Sequence, residues 1–227
     1  MKVIVSDFDL TFYDNNFLEN IKLVNEWMHK NNKFIIATGR SIYQLRKVID
    51  NYEIAADYYI CNDGGVIFDK DFNEIYRKDI DNELSKTLFD YLVNTNAFED
   101  VFIDTSETIT KSNNARCNRL IGMINNRDAA RNVLHDILGK HPEVHGYIST
   151  NCLNITEKSV NKASGIKFVI DINNWNESDI YTIGDAVNDI EMLQNYNGFL
   201  IDKEIKNVDL RKVSCFMEAM VLINEDN

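Results

Sequence analysis

Strands and helices alternate along the first sixty residues, and each strand ends in a cluster of acidic, hydroxyl or amide side chains. Lys2–Ser6 is a β-branched run followed by Asp7-Phe8-Asp9-Leu10-Thr11. Phe17–Lys30 carries Phe17, Leu18, Ile21, Val24, Trp27 and Met28 at helical spacing. Lys33–Ala37 reads as a second strand, ended by Thr38-Gly39-Arg40. Ser41 caps a helix through Ile49. Asp57–Cys61 reads as a third strand, followed by Asn62-Asp63-Gly64-Gly65. Strands separated by helices of this length predict a parallel sheet with right-handed crossovers. In such sheets ligands bind beyond the carboxyl ends of the strands, where these clusters lie.

The middle of the chain breaks the pattern. Val66–Phe68 and Glu74–Arg77 predict a hairpin across Asp69–Asn73. A helix near Asn82–Val93, strands at Val101–Asp104 and Thr108–Thr110, a helix at Arg127–Leu138 and strands at Val144–Ser149 and Leu153–Thr156 follow. Lys111–Asn126 has no clear period. This block reads as an inserted α+β domain with an antiparallel sheet. The alternation returns with a helix at Lys162–Ile172, a strand at Ile180–Ile183, the loop Gly184-Asp185-Ala186-Val187-Asn188-Asp189, a helix at Asp189–Gln194, a strand at Phe199–Ile201 and a helix near Cys215–Ile223. The fold class expected is α/β: a Rossmann-like parallel-sheet core of residues 1–80 and 158–227, with a small α+β cap at 81–157.

Composition narrows the function. The formal charge is −12, from 24 basic and 36 acidic residues. That argues against a nucleic-acid partner, since phosphate backbones are bound through clustered Lys and Arg. It does not argue against a small phosphorylated molecule, because a bound cation reverses the field inside one cleft. No apolar stretch approaches the ~18 residues of a membrane span, and the N-terminal run is too short for a signal-peptide core. Cys61, Cys117, Cys152 and Cys215 are far apart, with no Cys-x-x-Cys pair. They read as free thiols in a reducing cytoplasm.

Asp7 and Asp9 are two apart, so in extended backbone their side chains share a side. Asp185 and Asp189 end the late strand on the same sheet edge. Crowded carboxylates repel unless a hard cation sits between them, and oxygen ligands without His or Cys suit Mg²⁺. Carboxylates around Mg²⁺ suggest phosphoryl chemistry, in which a carboxylate can attack phosphorus. A cation is then needed for the transferring group. Lys162 is the candidate, because it opens a helix where a Lys is unfavourable against the dipole.

With Asp7-Phe8-Asp9-Leu10-Thr11, Thr38-Gly39-Arg40, Lys162 and Gly184–Asp189 in this order, the chain resembles the haloacid dehalogenase-like hydrolases, in particular the Cof-type or type IIB phosphatases. The resemblance spans Asp7 to Leu193 and includes Cys61–Gly65. It implies a Mg²⁺-dependent phosphatase acting on a small phosphomonoester, a sugar phosphate or phosphorylated small acid. Asp7 would be the nucleophile and Asp9 the acid and base. Thr11, Thr38, Gly39, Arg40, Asn62, Lys162 and Asn188 would hold phosphate. Asp7, Asp9 (through its carbonyl), Asp185 and Asp189 would hold the metal. The family usually has Gly where Leu10 stands. About 30 residues separate Asp7 from Thr38, too few for a lid, whereas about 120 separate Thr38 from Lys162. The lid therefore follows the third strand, at the position of the family's second type of cap.

Two other readings compete. A phosphomutase on the same fold must hold two phosphates, and its cap needs an Arg cluster, which Arg116, Arg119, Arg127 and Arg131 do not form in sequence. A non-catalytic phosphate-binding protein would not need Asp7, Asp9, Lys162 and Asp185 together. Lys111, Arg116 and Arg119 read as solvated charges or as substrate contacts. His141 and His145, with Pro142 between them, read as strand residues, not as a metal pair.

Overall fold

The computed structural model describes residues 1–201, 205 and 208–226. Its larger sheet contains β1 (Val3–Ser6), β2 (Lys33–Ala37), β3 (Tyr58–Cys61), β4 (Val66–Asp69) and β5 (Glu74–Arg77) from the first part of the chain. The smaller sheet contains β6 (Phe98–Asp104), β7 (Ile109–Thr110), β8 (Arg119–Ile124), β9 (Val144–Ile148) and β10 (Cys152–Glu157). Three further strands, β11 (Ile180–Gly184), β12 (Asn197–Ile201) and β13 (Arg211–Val213), return to the larger sheet. Its order is β13-β12-β11-β1-β2-β3-β4-β5, parallel from β13 to β3 and antiparallel thereafter.

β1 lies at the middle of this sheet and is buried along its length. Its alternation assigns the two faces. Ile4 joins Phe34 and Ile36 against α1 (Phe17–Met28), α2 (Ile42–Ile49) and α7 (Phe216–Glu225). Val3 and Val5 join Ile35 and Ala37 against α5 (Lys162–Asn173) and α6 (Ile190–Asn195). Burying each of the Val, Ile and Phe side chains contributes about 1.5–3 kcal/mol. Both faces are covered, so the parallel strands read as continuous apolar runs.

The smaller sheet has the order β7-β6-β8-β10-β9 and is antiparallel throughout. Helices α3 (Asn82–Val93) and α4 (Arg127–Lys140) cover one face, packing Leu88, Leu92, Val133 and Ile137 on Val101, Ile103, Leu120, Leu153 and Ile155. The other face looks across at the carboxyl edge of the larger sheet. The expected architecture, a parallel-rich core with an antiparallel cap, is the one found.

Two strands differ from the sequence expectation. β8, the middle strand of the cap sheet, lies inside Lys111–Asn126, read as having no period. It is apolar on both faces: Leu120 packs under the helices while Ile121 and Met123 face the cleft. Gly122 interrupts it because a Cβ there would lie 2.7 Å from the Phe98 ring. β13 was not expected at all. It is three residues long, and two of them, Arg211 and Lys212, are exposed.

Candidate active site

Asp7 extends β1: its amide donates to Ile183 O of β11 at 2.8 Å. The chain then turns at once. Leu10 takes φ 61°, and Tyr13 N returns to Phe8 O at 2.7 Å. Phe8 and Phe12 point into the core as fully buried rings that anchor the turn. Leu10 is 62% exposed. Its left-handed backbone explains why a glycine suits this position, since such a φ strains any residue with a Cβ.

Lys162, the first residue of α5, has a side chain only 1% exposed. Its Nζ donates to Asp7 Oδ1 at 2.5 Å and to Asp189 Oδ1 at 2.6 Å. The other oxygen of Asp189 accepts from the amides of Asp185 and Ala186, at 3.0 and 2.9 Å. Asp189 therefore ties the lysine to the loop that carries Asp185. Gly184 permits this: a Cβ there would lie 2.6 Å from Asp189 Cβ. Thr11 Oγ1 donates to Asp185 Oδ1 at 2.8 Å.

Carboxylate oxygens of Asp7, Asp185 and Asp189 lie within 4.8 Å of one another. Burial pushes the Asp7 carboxyl well above the ordinary carboxylate range; Lys162 opposes this, and Asp189 and Asp185 add to it. Burial by itself would lower Lys162, but Asp189 and Asp7 outweigh it, and its ammonium holds its proton more tightly than usual. Three carboxylates against one ammonium leave excess negative charge in an oxygen-only donor set of which Asp7 and Asp189 are buried and Asp185 is half-buried. That is the chemistry of a site for a hard divalent cation. Asp189 has both oxygens engaged and braces the site, whereas Asp7 and Asp185 are the residues that could hold a cation.

Asp9 stands apart from this group. Both of its oxygens accept from Arg40, at 2.8 and 2.6 Å, and its contact raises the Arg40 pKa. Arg40 also lies over the Phe8 ring, 5.2 Å from its centroid. Thr38 is buried, and its Oγ1 accepts from the Arg40 amide at 3.1 Å. Gly39 and Arg40 line the cleft with Asp7, Asp9, Asp185 and Asn188.

Asn62 does not join them. Its side chain is fully buried and donates to Asn118 Oδ1 at 2.8 Å, at the foot of the cap. Its neighbour Asp63 was missed as a site residue. Asp63 Oδ2 accepts from Tyr147 OH of β9 at 2.7 Å, and Oδ1 accepts from Asn188 Nδ2 at 2.9 Å. Burial and then Asp63 raise the Tyr147 pKa. Arg119 of β8 reaches the same place: Nη2 donates to Asp104 at 2.8 Å, Nη1 donates to Gly39 O, and Asp63 lies 3.7 Å away. One of the two sequence readings of Arg119, a solvated charge, is thus corrected: it is 5% exposed and clasps the core loop. The signal available was the acidic Asp63 inside a glycine-rich strand ending; its partners could not be read.

The cleft between the two sheets has a volume of about 560 Å³. No helix among the described residues is long and apolar enough to cross a membrane.

The model of one protein family, haloacid dehalogenase-like hydrolase, matches residues 4–141 and 111–208. An uncharacterized protein of Mycoplasma capricolum is 31% identical over 115 residues, which is 47% of this chain and 43% of that protein, so the match spans less than half of the relative's length. Among solved structures, a haloacid dehalogenase-like hydrolase from B. subtilis superposes over 100% of both chains with a TM-score of 0.85 at 14% identity. The sucrose-phosphatase of Synechocystis sp. PCC6803, solved with sucrose and phosphate, covers 98% of both chains with a TM-score of 0.73 at 14% identity. At these identities the structural likeness is one of fold. The family match runs through nearly all of the sequence, and on it the chain belongs to the haloacid dehalogenase-like hydrolases.

Proposed function

We propose that the protein is a Mg²⁺-dependent phosphatase that hydrolyses a small phosphomonoester through an aspartyl-phosphate on Asp7. The observation that carries this is Lys162, held between Asp7 and Asp189 with the Asp185 carboxylate beside them. Asp7, Asp185 and the Asp9 carbonyl would hold Mg²⁺, with Asp189 in support. The ion supplies charge neutralisation for the phosphate oxygens.

An Asp7 oxygen attacks phosphorus, the ester P–O bond breaks, and the departing alkoxide takes a proton from the Asp9 carboxyl. Arg40 holds the Asp9 carboxylate in the resting site; an incoming phosphate dianion draws the guanidinium to itself, and the released Asp9 takes up a proton from solvent before it serves as the acid. Thr38, Gly39 and Arg40 orient the phosphate, with Thr11 holding Asp185 and Asn188 at the cap side. Water then attacks the phosphorus of the aspartyl-phosphate and gives its proton to Asp9. The P–O bond to Asp7 breaks, releasing inorganic phosphate and restoring the Asp7 carboxylate. Lys162 offsets the charge that gathers on the transferring group. Residues 81–157 act as a cap that closes over this chemistry and excludes water from the first step. The substrate is a cytoplasmic metabolite, and the sucrose-phosphatase neighbour makes a sugar phosphate one class to test.

The mutase reading is disfavoured by the cap. Arg116 pairs with Asp79, Arg127 donates to the carbonyls of Ser149 and Thr150, and Arg131 pairs with Asp128. Arg119 alone among the four lines the cleft. The test is phosphate release from p-nitrophenyl phosphate and acetyl phosphate with Mg²⁺. Turnover that disappears in Asp7→Asn supports the reading; equal turnover in that variant sinks it.

A further inference from the structure

The cap face above the catalytic carboxylates carries an apolar stretch between two rows that hold charged residues. Across the sheet, Asp104 stands opposite Arg119. The next row is Phe102, Ile121, Asn154 and Tyr147, and the row beyond sets Met123 between Cys152 and Asp100, which pairs with Lys111. Ile109 continues the wall from β7. Residues opposite one another on paired strands share a face, so the apolar members form one continuous wall of the cleft. From the core side Leu10, two-fifths buried and held at φ 61°, lines the same cleft. An L-residue in that conformation is strained, and strain of this kind persists where surrounding structure or function maintains it.

Most of the polar atoms of the wall already have partners, although Arg119 Nε, which is buried, has none. Tyr147 OH donates to Asp63, and both terminal nitrogens of Arg119 are engaged. Asn154 Nδ2 reaches Ser149 Oγ at 3.4 Å, and Ser149 Oγ donates to Cys152 O at 3.1 Å. Hydroxyls of a polyhydroxylated group turned toward Phe102, Ile121 and Met123 would lose water without regaining hydrogen bonds there, which is unfavourable at each unpaired group. A flat apolar group would bury against Phe102, Ile121 and Met123 on one side and Leu10 on the other.

We infer that the preferred substrate carries its phosphate on an apolar, ring-bearing primary alcohol, with the ring seated between Leu10 and the Phe102–Ile121–Met123 wall and not on a sugar. This rests on the phosphatase reading and narrows its substrate class.

The test uses the full chain with Mg²⁺ and three phosphate donors. Acetyl phosphate is too small to reach the wall. 2-Phenylethyl phosphate and glucose 6-phosphate both release a primary alcohol, so the chemistry at phosphorus is matched and only the remote group differs. The expected result is a kcat/KM for 2-phenylethyl phosphate about 10–100-fold above that for glucose 6-phosphate, the scale on which apolar pockets discriminate. Met123→Gln, nearly isosteric but polar, should cut that preference about tenfold, and Ile109→Thr should cut it in the same direction. Met123→Leu should keep it. Preference for the sugar phosphate, or a ratio unmoved by both polar variants, overturns the inference while leaving the phosphatase reading intact. If none of the three donors is turned over, the phosphatase reading itself fails and takes the inference with it.

Discussion

Arg40 holds both carboxylate oxygens of Asp9, through Nε at 2.8 Å and Nη2 at 2.6 Å. A bidentate fork of this kind fixes orientation as well as charge. Both groups are partly exposed, at 26% and 46% of their side chains, so the pair adds little to stability. Arg40→Ala should therefore melt close to wild type while kcat/KM for an alkyl phosphate falls at least tenfold, because Asp9 and the phosphate lose their common guide. A melting point lowered by many degrees would make the pair structural.

Asp9→Asn separates the two chemical steps. Acid–base assistance is typically worth about 10²–10⁴-fold. An alkyl phosphate leaves as a basic alkoxide and should lose that much, whereas an aryl phosphate needs little protonation and should lose far less. With the aryl ester, pre-steady-state kinetics should record a burst of phenol followed by slow turnover, since water has lost its base. Equal losses on both esters without a burst would remove Asp9 from this role.

Asp7→Asn should stabilise the fold in metal-free buffer at neutral pH. Burial raises the folded-state pKa of Asp7 above its ordinary 3.8. The group thus favours the folded state most below that ordinary value, and this contribution is lost as pH rises through the higher folded value. At neutral pH the wild type carries the penalty and the amide does not. Thermal melts should show the variant ahead by about 1 kcal/mol near pH 7, with the gap closing toward pH 4. A gap that widens on acidification would reverse the sign and refute the account.

Mg²⁺ should raise the melting temperature of the wild type, because a ligand bound only by the folded state stabilises it by mass action, about 2.7 kcal/mol at one hundred times Kd. Asp185→Ala should flatten that titration, and chelator should return the wild type to its metal-free melt. An unchanged titration in the variant would exclude Asp185 as a ligand.

Leu10→Gly relieves a left-handed φ of 61°. The relief, about 1–2 kcal/mol, exceeds the extra chain entropy of glycine, about 0.5–1 kcal/mol. Calorimetry should find the variant at least as stable as wild type, by up to about 1 kcal/mol. Clear destabilisation would mean that Leu10 contributes packing that its exposure does not suggest.

What could be read in advance follows the range of the interactions. Asp7, Asp185 and Lys162 were legible because each sits at the end of a strand or start of a helix whose periodicity is local. Ser41 was legible for the same reason, and its capping box with Gln44 is present. β8 was not, because a strand buried on both faces by different neighbours has no alternation to find. Asp63 was not, because its partners Tyr147 and Asn188 lie 84 and 125 residues away. Asn62 was drawn toward phosphate by its neighbours in sequence, yet the cap's Asn118 takes its amide. Sequence adjacency could not show which of two consecutive residues, both at positive φ, would pair with Tyr147 and Asn188.

β1 pairs with β2 on one side and with β11 on the other. During synthesis these partners arrive at very different times. β2 leaves the ribosome soon after β1, whereas β11 must wait for the whole cap to be translated. Until then β1 is an edge strand with apolar side chains on both faces, a template for pairing with the wrong chain. A nascent chain stalled anywhere in the cap is thus a more hazardous species than one cut short within the first βα unit, and protection by chaperones matters most over that interval.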